Sequence, residues 1–178
     1  MSTNTNTANV KRFKVVFLGE TETGKTMMIK KIMNMSMVPR NYNYIPTLGV
    51  DVNICSISTT VGDVVLDLWD TAGLNSKHCG LAEGYYSHGD IGVLFVKDYK
   101  SSSMSTEELM WYKINPGKPL IRVCLKIGNN VAIDFINIFV NNIYTTHFNM
   151  KRFILNRILQ GLFHNCNAEI IETFISGS

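Results

Sequence analysis

Metal-binding spacing is missing from this chain. The four cysteines (Cys55, Cys79, Cys124 and Cys166) form no C-x-x-C pair, and the four histidines do not cluster. That pattern argues against a zinc-type centre and for reduced thiols in an intracellular compartment. Long apolar runs are missing too, and no segment approaches the length of a membrane span. The first residues are polar and repetitive, without the apolar core of a secretory signal. Ile175-Ser176-Gly177-Ser178 carries no prenylation box, and Cys166 lies too far inside to serve as one, so no membrane anchor is expected. There is no internal repeat. A net charge of +3 is too small to imply a nucleic-acid partner. What is present suits one globular domain: 178 residues, 46% hydrophobic and 17% charged, are enough to bury a sizeable core. The expected division is a disordered N-terminal tail over 1–10, a single domain over 11–164 and a short C-terminal tail over 165–178.

Strands and helices alternate along the chain. An apolar run over 13–18 predicts a strand, and Met27, Met28, Ile29, Ile32 and Met33 suit a helix after it. Residues 39–46 read as a loop. Extended runs at 48–58 and 63–69, with a turn near 60–62, predict a hairpin. The short, nearly continuous apolar runs at 91–96 and 120–127 have the signature of buried parallel strands. A helix is expected between them near 105–113, stopping by Pro116-Gly117. Phe153, Ile154, Leu155, Ile158, Leu159 and Leu162 give the segment 150–163 one apolar helical face, with Lys151, Arg152 and Arg157 on its solvated side. The alternation predicts a three-layer α/β fold.

Gly19-Glu20-Thr21-Glu22-Thr23-Gly24-Lys25-Thr26 spells G-x-x-x-x-G-K-[ST] between the first strand and the first helix. Backbone N–H groups of such a turn, at a helix N-terminus, form a concave donor surface for phosphate oxygens. Lys25 can reach terminal phosphates, and the Thr26 hydroxyl can hold Mg²⁺. Trp69-Asp70-Thr71-Ala72-Gly73 closes a later strand, where a three-layer nucleotide fold presents a carboxylate to the metal. Asp70 is the candidate metal residue, and the Gly73 N–H can face a γ-phosphate. Thr47, in the loop before the second strand, can complete the Mg²⁺ shell. Taken alone, an Asp at a strand end is commonly a turn residue and a loop Thr commonly faces solvent. Three such residues in this order and spacing argue for one site.

On these motifs the chain resembles the Ras-type small GTPases, and within them the Ran branch that serves nuclear transport. Thr47-Leu48-Gly49-Val50-Asp51-Val52 is close to that branch's first switch, and Gly80-Leu81-Ala82-Glu83-Gly84-Tyr85-Tyr86 resembles its second. The likeness runs well over 12–96, weakly over 111–129, and is sparse beyond. It implies a P-loop NTPase fold, mainly parallel with one antiparallel hairpin strand and truncated before the last strand. It also implies GTP/GDP and Mg²⁺ as cofactors, held by Gly19, Glu22, Thr23, Gly24, Lys25, Thr26, Thr47, Gly73 and Asn129, with Thr26, Thr47 and Asp70 at the metal. A monomeric switch of the cytoplasm and nucleus is implied, with protein effectors of the importin type meeting its switch regions.

Four departures qualify that expectation. Leu74 occupies the position of the family's catalytic glutamine and cannot orient an attacking water, so hydrolysis is expected to be slow. Thr21 and Glu22 replace small glycines. Glu22 either strains the turn and sets a carboxylate near phosphate, or points to solvent. The guanine-reading box falls at Asn129-Asn130-Val131-Ala132, where only Asn129 matches; Asp134 can substitute if the loop is shifted. The box that closes over the base has become Tyr144-Thr145-Thr146. Only residues 133–143 separate the two boxes, too few for the usual helix and strand, which leaves one short strand over 136–143 or an irregular connection. The contrasting reading is a pseudo-GTPase, an interaction protein that mimics the triphosphate-bound state and occupies the partners of its relatives. An ATP-using phosphotransferase lacks an evident arginine-bearing lid.

Overall fold

The computed structural model describes residues 10–35, 45–73, 82–97, 103–127, 136–140, 143–146, 150–163 and 170–174. In chain order these form β1 (Lys11–Gly19), α1 (Lys25–Ile32), β2 (Val50–Thr59), β3 (Gly62–Thr71), α2 (Ala82–Tyr86), β4 (Ile91–Val96), α3 (Thr106–Ile114), β5 (Leu120–Ile127), β6 (Ile136–Val140), β7 (Ile143–Thr146), α4 (Met150–Leu162) and β8 (Ile170–Phe174). One sheet takes them in the order β7-β6-β5-β4-β1-β3-β2-β8. Its centre, β3-β1-β4-β5, is parallel.

Alternation along β1 explains why that strand reads as an unbroken apolar run. Val15 and Phe17 enter the core beneath α1 and α4, while Val16 and Leu18 enter a second core with Tyr86 of α2 and Trp111 of α3. A strand buried on both faces has no polar face to show. β4 repeats the pattern, with Val93 and Phe95 on one side and Leu94 on the other. The result is the expected three-layer α/β domain with a mostly parallel sheet and an antiparallel β2–β3 hairpin. Gly62, at φ 107, supplies the left-handed residue of the hairpin turn, and Thr59 Oγ1 donates to its carbonyl at 2.7 Å.

α3 starts where Ser105 accepts a hydrogen bond from the Glu108 N–H, a side-chain cap on an orphan donor. The carboxylate of Glu108 also pairs with Arg122 of β5, tying this helix to the sheet. Trp111 then lies against Gly89 and Gly92, where a Cβ would come within 2.6 and 3.0 Å of its ring. At the helix end, Asn115 donates to Tyr86 O and accepts from the Gly89 N–H, clamping the turn into β4.

The margins differ from expectation in detail. Where one strand over 136–143 or an irregular connection is expected, two strands form. β6 pairs antiparallel with β5, and β7 pairs antiparallel with β6. A tight antiparallel return needs few residues, whereas a parallel crossover needs a dozen or more. Tyr144, Thr145 and Thr146, read as the remnant of a base-closing loop, are strand residues paired with Phe139, Ile138 and Asn137. At the other margin, β8 pairs antiparallel with β2 from within the stretch expected as a tail. Among the described residues, no helix is long and apolar enough to cross a membrane.

Trp111 is fully buried, and its Nε1–H donates to Lys118 O at 3.3 Å. Trp111→Ala is expected to lower unfolding free energy by about 3–5 kcal/mol, read from urea denaturation. A loss below about 1 kcal/mol would show that this tryptophan does not anchor the second core.

Candidate functional site

The loop between β1 and α1 is shaped by three residues with left-handed backbone: Gly19 (φ 133), Glu22 (φ 62) and Gly24 (φ 96). A Cβ at Gly19 would lie 2.3 Å from Phe95 O of β4, so only glycine lets the two strands meet there. Gly24 is the N-cap of α1 and brings no side-chain acceptor; the first turn also carries no acid. The leading amides of this helix therefore face outward with the positive end of its dipole. Glu22 is exposed. Its backbone takes a conformation unusual for a non-glycine residue.

Lys25 is 6% exposed, and its Nζ donates to Gly19 O at 2.8 Å and Glu20 O at 2.7 Å. Thr23 Oγ1 closes the same turn by donating to Glu20 O at 2.9 Å. Burial lowers the Lys25 pKa to about 8, against the opposing pull of Asp70, Glu107 and Glu20.

Thr26, Thr47 and Asp70 come together. Thr26 Oγ1 donates to Asp70 Oδ2 at 2.6 Å, and the Thr26 and Thr47 hydroxyls are 3.0 Å apart. Asp70 is 2% exposed, and its second oxygen, Oδ1, is buried without a hydrogen-bond partner. Desolvation raises its pKa, opposed chiefly by the Thr26 hydrogen bond. The parallel register explains the convergence, since Asp70 stands beside Phe17, just short of the loop. Among the described residues no three His, Cys, Asp or Glu side chains cluster as a metal site. A cation at this place would rely on one carboxylate and two hydroxyls.

Gly73 presses on the loop: a Cβ there would lie 2.4 Å from Thr21 N and 2.8 Å from Thr21 Cγ2. The Ala72 N–H donates to Gly49 O at 2.8 Å, joining the stretch that carries Thr47 to the one that carries Gly73. The expected residues Gly19, Glu22, Thr23, Gly24, Lys25, Thr26, Thr47, Asp70 and Gly73 thus belong to one end of the sheet. Leu74, Asn129, Asn130, Ala132 and Asp134 lie outside the described residues.

Sequence reasoning missed two contributors. Lys97, directly after β4, forms a 2.8 Å ion pair with Glu20 of the loop, and hydrogen bonding to Glu20 raises its pKa. Its position at the C-terminal end of a central strand was the available signal. Glu107, buried in the first turn of α3, adds negative charge within reach of Lys25. Nothing local in the sequence marks it.

A family model described as Roc, the Ras of Complex domain of DAPkinase, matches residues 14–131.

Burying a charged Lys25 costs stability wherever it stays protonated. Its folded pKa, about 8, lies below its ordinary value of 10.5. Below pH 8 both states hold the proton and the full cost is present. Between the two values the folded state releases it first, so stability rises with pH, by up to about 3 kcal/mol. Unfolding measured from pH 7 to 10.5 is expected to show this rise in the wild type, and a smaller one in Lys25→Met. Equal slopes would place the titration elsewhere.

Proposed function

The chain belongs to the Roc family of Ras-type GTPase-like domains, and from that premise we propose that it is a Mg²⁺-dependent GTP/GDP-binding switch with slow intrinsic hydrolysis. One observation carries the proposal: Thr26, Thr47 and Asp70, distant in sequence, meet beside the loop, with Asp70 Oδ1 left free of a partner. Two hydroxyls and a carboxylate are hard oxygen donors of the kind that suits Mg²⁺.

In this reading Gly19, Thr23 and Gly24 shape the cradle and the first amides of α1 receive phosphate oxygens. Lys25 supplies the positive charge, exchanging loop carbonyls for phosphate. Thr26, Thr47 and Asp70 hold the metal. Mg²⁺ bound there would neutralise phosphate charge. Gly73 lies against the loop, where its N–H would face a γ-phosphate. Glu22 adds a carboxylate at the mouth and weakens affinity. Leu74 has no group with which to align water, and hydrolysis is slow for that reason. On the base side Asn129 remains, but Asn130 and Ala132 offer neither charge nor a double acceptor, so discrimination between GTP and ATP is weaker than the motif implies.

The finer likeness to the Ran branch rests on residues 47–52 and 80–86. It extends the proposal to an intracellular monomer, active in cytoplasm and nucleus, whose switch segments meet importin-type receptors. The exposed Ile45 and Leu48 flanking Thr47 support a protein-binding role for that segment. Capture of such a receptor by wild type but not by Thr47→Ala tests this part separately.

Fluorescent-nucleotide titration tests the core of the proposal. GTP affinity is expected to need Mg²⁺ and to fall at least about tenfold in Thr26→Ala and Asp70→Asn. Because phosphate favours protonated Lys25, affinity should fall above pH 8, by up to about tenfold per unit. Leu74→Gln should raise single-turnover hydrolysis at least about tenfold. Absence of any nucleotide binding in Mg²⁺ would defeat the switch and leave the pseudo-GTPase interaction protein.

A further inference from the structure

Two carboxylates, Glu20 and Glu22, stand in the loop between β1 and α1, where Lys25 and the leading amides of α1 favour an anion. At physiological salt exposed charges act over about 8 Å, so acids on so short a loop oppose an anion held in it. One ammonium against two carboxylates leaves residues 19–26 one charge negative. Lys97 brings that balance to zero. It follows β4 directly, two residues past Phe95, whose carbonyl lies against Gly19. Its backbone is held from the other side, where Cys124 Sγ of β5 donates to Lys97 O at 3.5 Å. Its Nζ reaches Glu20 Oε2 at 2.8 Å. Hydrogen bonding to Glu20 raises the Lys97 pKa and the charge of Glu22 adds to the rise, so both acids act on this one ammonium. Stability does not account for the pair: its side chains are 56% and 49% exposed, and ion pairs so exposed add little to folding.

We propose that Lys97 is the counter-ion of the loop, a positioning residue that neutralises Glu20 and so lets the loop accept a triphosphate. The inference rests on the nucleotide reading and adds to it a residue that sets affinity without touching phosphate. Glu20 cannot simply withdraw. Its backbone carbonyl accepts from Lys25 Nζ at 2.7 Å and from Thr23 Oγ1 at 2.9 Å, which fixes the point from which its side chain starts. The carboxylate must therefore be balanced in place. When Lys25 exchanges that carbonyl for phosphate, Lys97 keeps a cation on Glu20. The two lysines divide the work by position: Lys25, 6% exposed, faces the inside of the loop, and Lys97 holds its outer side.

The test titrates GTP with Mg²⁺ against wild type, Lys97→Met, Lys97→Arg and Lys97→Met/Glu20→Gln, all full length. Lys97→Met is expected to weaken binding at least about fivefold, by an amount that shrinks as salt is raised. Lys97→Arg keeps the charge and should stay within about twofold of wild type. Adding Glu20→Gln to Lys97→Met should bring affinity back to within about twofold as well, because no carboxylate is left there to balance. Unchanged affinity in Lys97→Met overturns the inference. So does a loss that Glu20→Gln leaves in place, since Lys97 would then act on phosphate itself or brace the loop. Wild type that binds no nucleotide defeats the switch reading and this inference together. Wild type that binds, beside a Lys97→Met that binds equally well, defeats the inference alone.

Discussion

A buried ammonium organises this domain. Lys25 points back across its own loop to the carbonyls of Gly19 and Glu20, and the loop keeps its curvature because both bonds are made. Everything nearby accommodates that charge. Gly19 and Gly24 take backbone angles that leave room for the turn, and Asp70, Glu107 and Glu20 surround it with negative field. A charge held out of water at the expense of stability is a common mark of a site shaped for a ligand, because folding alone would be better served by an apolar side chain.

The sheet divides into a centre and margins. Its parallel centre has apolar residues on both faces and presents its strand ends to one place, which is how Phe17, Asp70 and Phe95 come to frame the loop. The margins are antiparallel additions, β6–β7 on one side and β8 on the other. The loop 19–26, Asp70 and Gly73 all adjoin strands of the centre. Beyond β5 the described chain returns on itself as the β6–β7 hairpin.

Legibility followed that division. The run at 91–96 coincides with β4 because double-sided burial leaves an uninterrupted apolar signal, and the run at 120–127 coincides with β5 although Arg122 and Lys126 interrupt it. The loop and its partners Thr47 and Asp70 were readable because each sits at a fixed place relative to a strand end. The β6–β7 hairpin was not, since its short stretches around Asn141 and Asn142 carry too little periodicity to separate from loop. β8 offers five residues, too few for a pattern to stand out. The Lys97–Glu20 pair and the charge of Glu107 arise only when three separate segments are folded against each other. No local rule anticipates them.

The antiparallel hairpin gives the site a property of its own. Val50 stands opposite Thr71 and Asp51 opposite Asp70, so Thr47 and Asp70 are carried by strands that run in opposite senses. Any slip of β2 along β3 therefore moves Thr47 by the full displacement relative to Asp70, about 3.4 Å per residue. A slip of one residue would turn Cys55 and Ile57 out of the core, so the smallest tolerable step is two residues, about 7 Å. The hairpin behaves as a vernier with a coarse detent: Thr47 is either in register with Thr26 and Asp70 or wholly out of reach.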